Sequence, residues 1–262
     1  MRTAVVTGAN KGIGFQIAKQ LLPSVSLLIL ACRDRSRGEA AAKLLGSSKC
    51  VVEELDLANE KSIDAFAERM HEKYDHLEVL VNNAAIAFPG RDPTPFEQQT
   101  GPTLKINYFG TVRLTEKLMP LLTKADDAQL VFLASMAGSL SQLSDKRQKQ
   151  FSDPTLSKQK LTELVKEFET DVAEGRHKDR GWSNSNYGFS KLSIIAYTKI
   201  LARDAPKSLA VNCCCPGYCD TDMTSHKGTR DPADGAKNAV MLAQPNCPHR
   251  GVFIKNEQVS EW

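Results

Sequence analysis

The sequence predicts an α/β fold: a single doubly wound parallel sheet of about seven strands, helices on both faces, and an extra helix inserted late in the chain. Two observations predict it. Short β-rich apolar runs alternate with longer segments of helical period, the pattern of strands joined by crossover helices. The runs are continuously apolar rather than alternating, as strands buried on both faces must be.

The strand-forming runs fall at 3–7, 27–31, 51–55, 77–81, 130–134, 209–213 and 252–255. Leu130-Val131-Phe132-Leu133 is a clear case of a run with no polar face. No internal repeat and no low-complexity linker interrupts the series, so residues 1–262 are expected to form one domain. One interval breaks the rhythm. About fifty residues separate the fifth run, ending near Ala134, from the segment opening at Tyr187, where a strand-to-helix connection ordinarily takes 2–6. Within it, Leu161, Leu164, Val165, Phe168 and Val172 form an apolar stripe, with Thr155 or Ser157 as caps and Gly175 as a stop. A helix is therefore expected at 156–174, inside a helical insertion at 139–186, serving as surface decoration, as a lid or as a block to oligomer contacts.

Composition narrows the partners. A net charge of +3 is too small a bias for nucleic acid or membrane lipid to be a general partner. The most basic windows, 145–150 and 176–180, mix in acids and read as solvated faces. The longest apolar run, 25–32, is too short to cross a bilayer, and no leader-like segment follows Met1. Seven cysteines without a C-x-x-C pair, three of them consecutive at Cys213, Cys214 and Cys215, suit reduced thiols in the cytoplasm. His71, His76, His177, His226 and His249 fall in polar surroundings without metal-ligand or triad spacing, so no metal is expected.

The first strand runs into VVTGANKGIG, with a helix opening behind it. Backbone N–H groups at a helix N-terminus present partial positive charge to a pyrophosphate. Gly8, Asn10, Lys11, Gly12, Ile13 and Gly14 are thus a candidate phosphate cradle, although a tight turn without a ligand has the same pattern. At the end of the second strand, Cys32 stands where a ribose-binding acid is looked for, and Arg33 follows it. Arg33, Arg37 and Lys11 can surround a 2′-phosphate, which points to NADP(H). Asp34 is the counter-argument, and capping of the strand end is the plainer alternative.

SNSNYGFSK, at 183–191, sets Tyr187 and Lys191 four positions apart in the opening turns of a helix, where such residues are neighbours. A free phenol titrates near 10, so catalysis near neutrality would be helped by a cation within about 4–6 Å that stabilises the phenolate. Alone, the pair equally describes a half-buried tyrosine above a solvated lysine.

Thr7-Gly8-x-x-x-Gly12-Ile13-Gly14, Asn82-Asn83-Ala84-Ala85, Asn107, Ser135, Tyr187-x-x-x-Lys191, and Pro216-Gly217 with Thr221 follow in the order of the short-chain dehydrogenase/reductase family, which the chain resembles from the first strand to the last. NKGIG, ACRDRSRG, NNAAIAF, DPTPF, CCPGY and FIKNEQVSEW are similar to segments of its NADPH-dependent carbonyl reductases. The resemblance implies a Rossmann-type sheet and a catalytic tetrad of Asn107, Ser135, Tyr187 and Lys191. In such enzymes the pro-S hydride of reduced nicotinamide goes to a carbonyl carbon. Tyr187 protonates the oxygen, Ser135 hydrogen-bonds it, Lys191 holds the ribose and lowers the phenol pKa, and Asn107 bends its helix and carries a relay water. By the same likeness Asp56 and Leu57 border the adenine, Asn83 the adenosine-side backbone and Thr221 the carboxamide, with Ala84, Pro216 and Gly217 also expected at the cofactor. Ser135, Met136, Cys215 and Tyr218 are candidate substrate contacts, although Met136 and Phe88 are also ordinary core types and Cys215 reads equally as an inert buried thiol. Ala85, Ala134 and Tyr218 depart from the family's usual glycine, serine and tryptophan. The implied reading is NADPH-dependent reduction of ketones, aldehydes or quinones by a monomer, the insertion covering the helix that pairs in tetrameric members. A biosynthetic steroid, terpenoid or alkaloid dehydrogenase and a non-catalytic NADP(H) sensor are the alternatives.

Overall fold

The structure, a computed structural model, describes residues 2–262. Eight strands form one sheet in the order β3-β2-β1-β4-β5-β6-β7-β8. They are β1 (Thr3–Thr7), β2 (Leu27–Cys32), β3 (Cys50–Glu54), β4 (Val79–Asn82), β5 (Ala128–Leu133), β6 (Leu209–Cys214), β7 (Phe253–Lys255) and β8 (Gln258–Ser260). The first seven pair parallel, in register with Val5 beside Ile29 and Leu80, and Leu130 beside Leu80 and Val211. β8 returns antiparallel on β7, Ile254 opposite Val259. This strand was not expected. Its turn residues, Asn256 and Glu257, both take positive φ (49° and 61°), as a two-residue hairpin turn requires, and glutamate is a poor signal for that conformation.

The continuous apolar runs are buried by two layers of helix. On one face α1 (Gly12–Leu21), α2 (Arg35–Leu45) and α9 (Pro232–Leu242) cover Ala4, Val6, Leu28, Leu30 and Val81. On the other, α3 (Glu60–Lys73), α5 (Thr111–Lys124) and α8 (Asn186–Asp204) cover Val5, Ile29, Leu80, Leu130 and Phe132. Because both sheet faces are filled, open backbone is left at the carboxyl ends of the strands. β1 and β4 are neighbours there and the chain order reverses between them, which is where doubly wound sheets bind ligands.

The insertion holds two helices instead of one. α6 (Asp145–Phe151) precedes α7 (Lys158–Ala173), which Ser157 caps by accepting the Lys160 N–H at 3.1 Å. In the window 145–150, Asp145, Lys146 and Lys149 are solvated as expected, but Arg147 is buried, its guanidinium 3.6 Å from the centre of the Trp182 ring. The basic window 176–180 is likewise engaged, since Arg176 binds Asp171 at 2.6 Å. A charge run shows neither which member turns inward nor what receives it. α7 lies against α8, with Phe168 stacked on Phe189 at 3.8 Å. As a result α8 is buried nearly all round, including Ser190, Ser193 and Thr198.

Candidate active site

The glycine loop begins where β1 ends. Gly8 has φ +64° and donates its N–H to the Ala31 carbonyl at 2.8 Å, folding the chain back over the strand ends. A side chain on Gly14 would place its Cβ 2.3 Å from the Gly8 carbonyl oxygen, so only glycine lets α1 start this close to the loop. No side chain caps α1, and its first amides stay open toward the cleft. Asn83 holds the loop from the β4 side: Nδ2 donates to the Thr7 carbonyl at 2.8 Å, while the Asn83 and Ala84 N–H groups donate to Thr7 Oγ1 at 3.0 and 2.9 Å.

A cleft of about 580 Å³ opens between this loop and the β4 end. Gly8, Asn10, Lys11, Gly12, Ile13, Gly14, Arg33, Arg37, Asp56, Leu57, Asn83, Ala84 and Thr221 all line it. At its far end Arg33 and Arg37 are exposed, and Asp34 is turned to α2, accepting the Arg37 N–H at 3.1 Å. Two exposed guanidinium groups in the lining, Arg37 also pairing with Asp34 at 3.3 Å, suit a dianionic 2′-phosphate by charge, and the uncapped helix terminus suits a pyrophosphate. Lys11 is differently placed from expectation. Its ammonium crosses the cleft to Asp222 at 2.5 Å, the residue after Thr221, which the motif reading did not single out. His226 sits between Asp220 (2.8 Å) and Asp222 (3.1 Å), both of which raise its pKa. Exposed acids one loop away leave no periodic signal, and proximity alone identifies them.

Ser135 follows β5 and caps a short turn, Met136–Gly138, its Oγ accepting the Ala137 N–H at 3.1 Å. Tyr187 lies in the first turn of α8, which Ser185 caps by accepting the Gly188 N–H at 2.9 Å. Lys191 is buried one turn on, its Nζ 5.6 Å from the Tyr187 ring centre and donating to the Leu133 carbonyl at 2.6 Å. Tyr187 therefore stands between a serine at the strand end and an ammonium held against that same strand.

The acidity of the phenol departs from the simple pair argument. Burial pushes Tyr187 up to about 12, the Cys215 thiol adds to the rise, and hydrogen bonding with Ser135 opposes it. Burial also pushes Lys191 down to about 8. Desolvation of the phenol is the largest influence, and the Lys191 ammonium, bonded to a backbone carbonyl, is not among the groups that lower its pKa, so the phenol is held protonated.

Asn107 is brought to α8 through Ser190 rather than to Tyr187 or Lys191 directly. Its Nδ2 donates to Ser190 Oγ at 3.0 Å and to the Ile86 carbonyl at 2.9 Å, and its Oδ1 accepts the Ile86 N–H at 2.8 Å. It sits in a π-helical segment, Lys105–Gly110, that joins α4 (Phe96–Leu104) to α5 and re-aims the side chain toward the loop after β4. Pro216, Gly217, Cys215 and Tyr218 follow β6. The Met136 and Gly217 N–H groups donate to Cys215 Sγ at 3.4 and 3.3 Å, and Met136 and Tyr218 are exposed beside it. One histidine is misplaced by the sequence reading. His177, within the insertion, is nearly buried and stacked at 5.1 Å on Phe96, which opens α4.

The family model for short chain dehydrogenase matches residues 2–176 and 175–232. The chain belongs to the short chain dehydrogenase family. Among curated members of this family-wide likeness, rat carbonyl reductase [NADPH] 3 is 38% identical over 275 aligned positions, covering 100% of this chain and 98% of the relative. Mouse carbonyl reductase [NADPH] 1 is also 38% identical, with 99% and 98% covered. The same short chain dehydrogenase architecture recurs in salutaridine reductase from Papaver somniferum, with TM-score 0.88, 29% identity, and 97% of this chain and 99% of that one covered. Menthone neomenthol reductase from Mentha piperita has TM-score 0.82 and 31% identity, with 96% and 97% covered. Among the described residues no helix is long and apolar enough to cross a membrane, and no cluster of three or more His, Cys, Asp or Glu side chains is disposed to hold a metal.

Proposed function

We propose that the protein reduces ketones, aldehydes or quinones to alcohols with NADPH. The observation that carries this reading is Tyr187 set between Ser135, with which it hydrogen-bonds, and Lys191, anchored at the end of β5, in a chain whose cofactor cleft is lined by Arg33 and Arg37. When bound, NADPH supplies the hydride that adds to the carbonyl carbon. Ser135 Oγ directs its hydroxyl at the carbonyl oxygen, stabilising the negative charge that develops there. Tyr187, kept protonated by burial, gives that oxygen its proton. Lys191, anchored to the Leu133 carbonyl, is the cation that offsets the phenolate left behind and holds the ribose side of the site. Asn107 fixes the loop after β4 to α8, and with it the floor of the cleft.

The full-length likeness to proteins called carbonyl reductase [NADPH] supports the same cofactor and substrate class. The free state of all seven cysteines suits a cytoplasmic protein. The cover of α7 over α8 suits a monomer. Purified protein is expected to oxidise NADPH much faster than NADH in the presence of menadione or an aromatic ketone. Faster turnover with NADH would overturn the assignment of Arg33 and Arg37.

A further inference from the structure

We infer that Trp262, at the opposite end of the chain from the glycine loop, is a positioning residue for Ser135. This rests on the reading that Ser135 polarises the carbonyl. The β7–β8 turn lies at the catalytic edge of the sheet, β8 leads back from it alongside β7, and Trp262, just beyond β8, packs half-buried against the hydrophobic core. Its indole N–H donates to the Gly138 carbonyl at 2.8 Å, across 124 positions of sequence. The Lys199 ammonium lies 5.6 Å from the centre of its ring.

Gly138 is the last residue of the turn that Ser135 opens. The Gly138 N–H donates to the Ser135 carbonyl at 2.9 Å while the Gly138 carbonyl is taken by Trp262, so one residue joins the serine to the indole. The opposite wall of the turn is α8. A Cβ on Gly138 would lie 2.7 Å from the Leu192 nitrogen and 2.8 Å from the Lys191 carbonyl carbon, so the turn lies flush on the helix that carries Tyr187 and Lys191. The turn is thus clamped between α8 and Trp262. Ser135 Oγ is held by the Ala137 N–H of the same turn, so lifting the turn moves the hydroxyl relative to the phenol. Trp262 reaches the turn only through the Gly138 carbonyl and lines a separate hollow with Phe151, Lys199, Ile200 and Arg203, away from the glycine loop, so its effect should fall on turnover and spare cofactor binding.

Trp262→Phe keeps the ring and removes the N–H. It is expected to lower kcat with a carbonyl substrate about five- to tenfold, the size of one neutral hydrogen bond, with NADPH Kd and melting temperature near wild type. Trp262→Ala is expected to lower kcat at least as far. Wild-type kcat in Trp262→Phe, or loss of kcat and NADPH affinity together, would overturn the inference while Tyr187→Phe is inactive. Undiminished turnover in Tyr187→Phe would overturn the reading of the whole site, and this inference with it.

Discussion

The glycine-loop edge of the sheet and the insertion over α8 handle charge in opposite ways. Around the cleft, Lys11, Arg33, Arg37, Asp222 and His226 are exposed, and what pairs they make are surface pairs. Such pairs contribute little to folding and are readily exchanged for a ligand's anion. In the insertion, Arg147 and Asp171 are buried. Asp171 accepts from Trp182 Nε1 at 2.7 Å and from Arg176 at 2.6 Å, and Arg147 lies on the Trp182 ring and reaches Glu167 at 2.7 Å. Those charges are fully used by the fold, and breaking them leaves a buried ion without a partner. The difference separates residues kept available for a ligand from residues that hold the catalytic helix in place.

Substitutions across the two regions sharpen that contrast. The largest effect is expected at their junction: Tyr187→Phe should lower the rate of carbonyl reduction roughly 10²- to 10⁴-fold while NADPH still binds, measured by steady-state kinetics and cofactor titration. Lys191→Met should cost about a hundredfold in kcat without lowering the melting temperature, because it removes a buried ammonium. The pH dependence carries a sign. The folded pKa of about 8 lies below the ordinary 10.5, so between those values the unfolded chain binds more protons, and this group's contribution to stability rises with pH. Lys191→Met should lose that rise in melting temperature, and wild-type reduction should slow above about pH 8 as the ammonium titrates.

In the insertion, Arg147→Ala should destabilise the protein by about 3 kcal/mol in urea titrations. NADPH affinity of the molecules that remain folded should be nearly unchanged, and a substitution here that weakened NADPH binding first would break the division between the regions. At the cleft, Arg33→Ala should raise the KM for NADPH roughly tenfold, leave that for NADH unchanged, and not shift the melting temperature. Smallest of all, Asp222→Asn, which releases Lys11 from its exposed partner, should leave the melting temperature where it is.

The two regions were also unequally legible. The glycine loop could be read because its constraints are local. A positive φ at Gly8 and a close approach of Gly14 to the Gly8 carbonyl require glycine, and the cap at Ser157 is just as local. The insertion was legible only as an apolar stripe. Arg147 and His177 looked solvated because the ring that receives each, Trp182 or Phe96, lies far along the chain. Asp220, Asp222 and His226 were missed at the cleft for the same reason: Asp222 meets Lys11 across more than two hundred positions, and His226 joins it to Asp220.

From the sequence alone came the parallel sheet, the place of the cradle after β1, and the pairing of Tyr187 with Lys191 one helical turn apart. Each follows from bonds and torsions within a few residues. Folding decided the rest: the phenol's weak acidity, the all-round burial of α8, the turning inward of Arg147, and the seating of Trp262 on the serine turn. Desolvation sums over every group packed nearby, whatever its distance in the chain, so the ionisation of a buried side chain is a property of the assembled molecule.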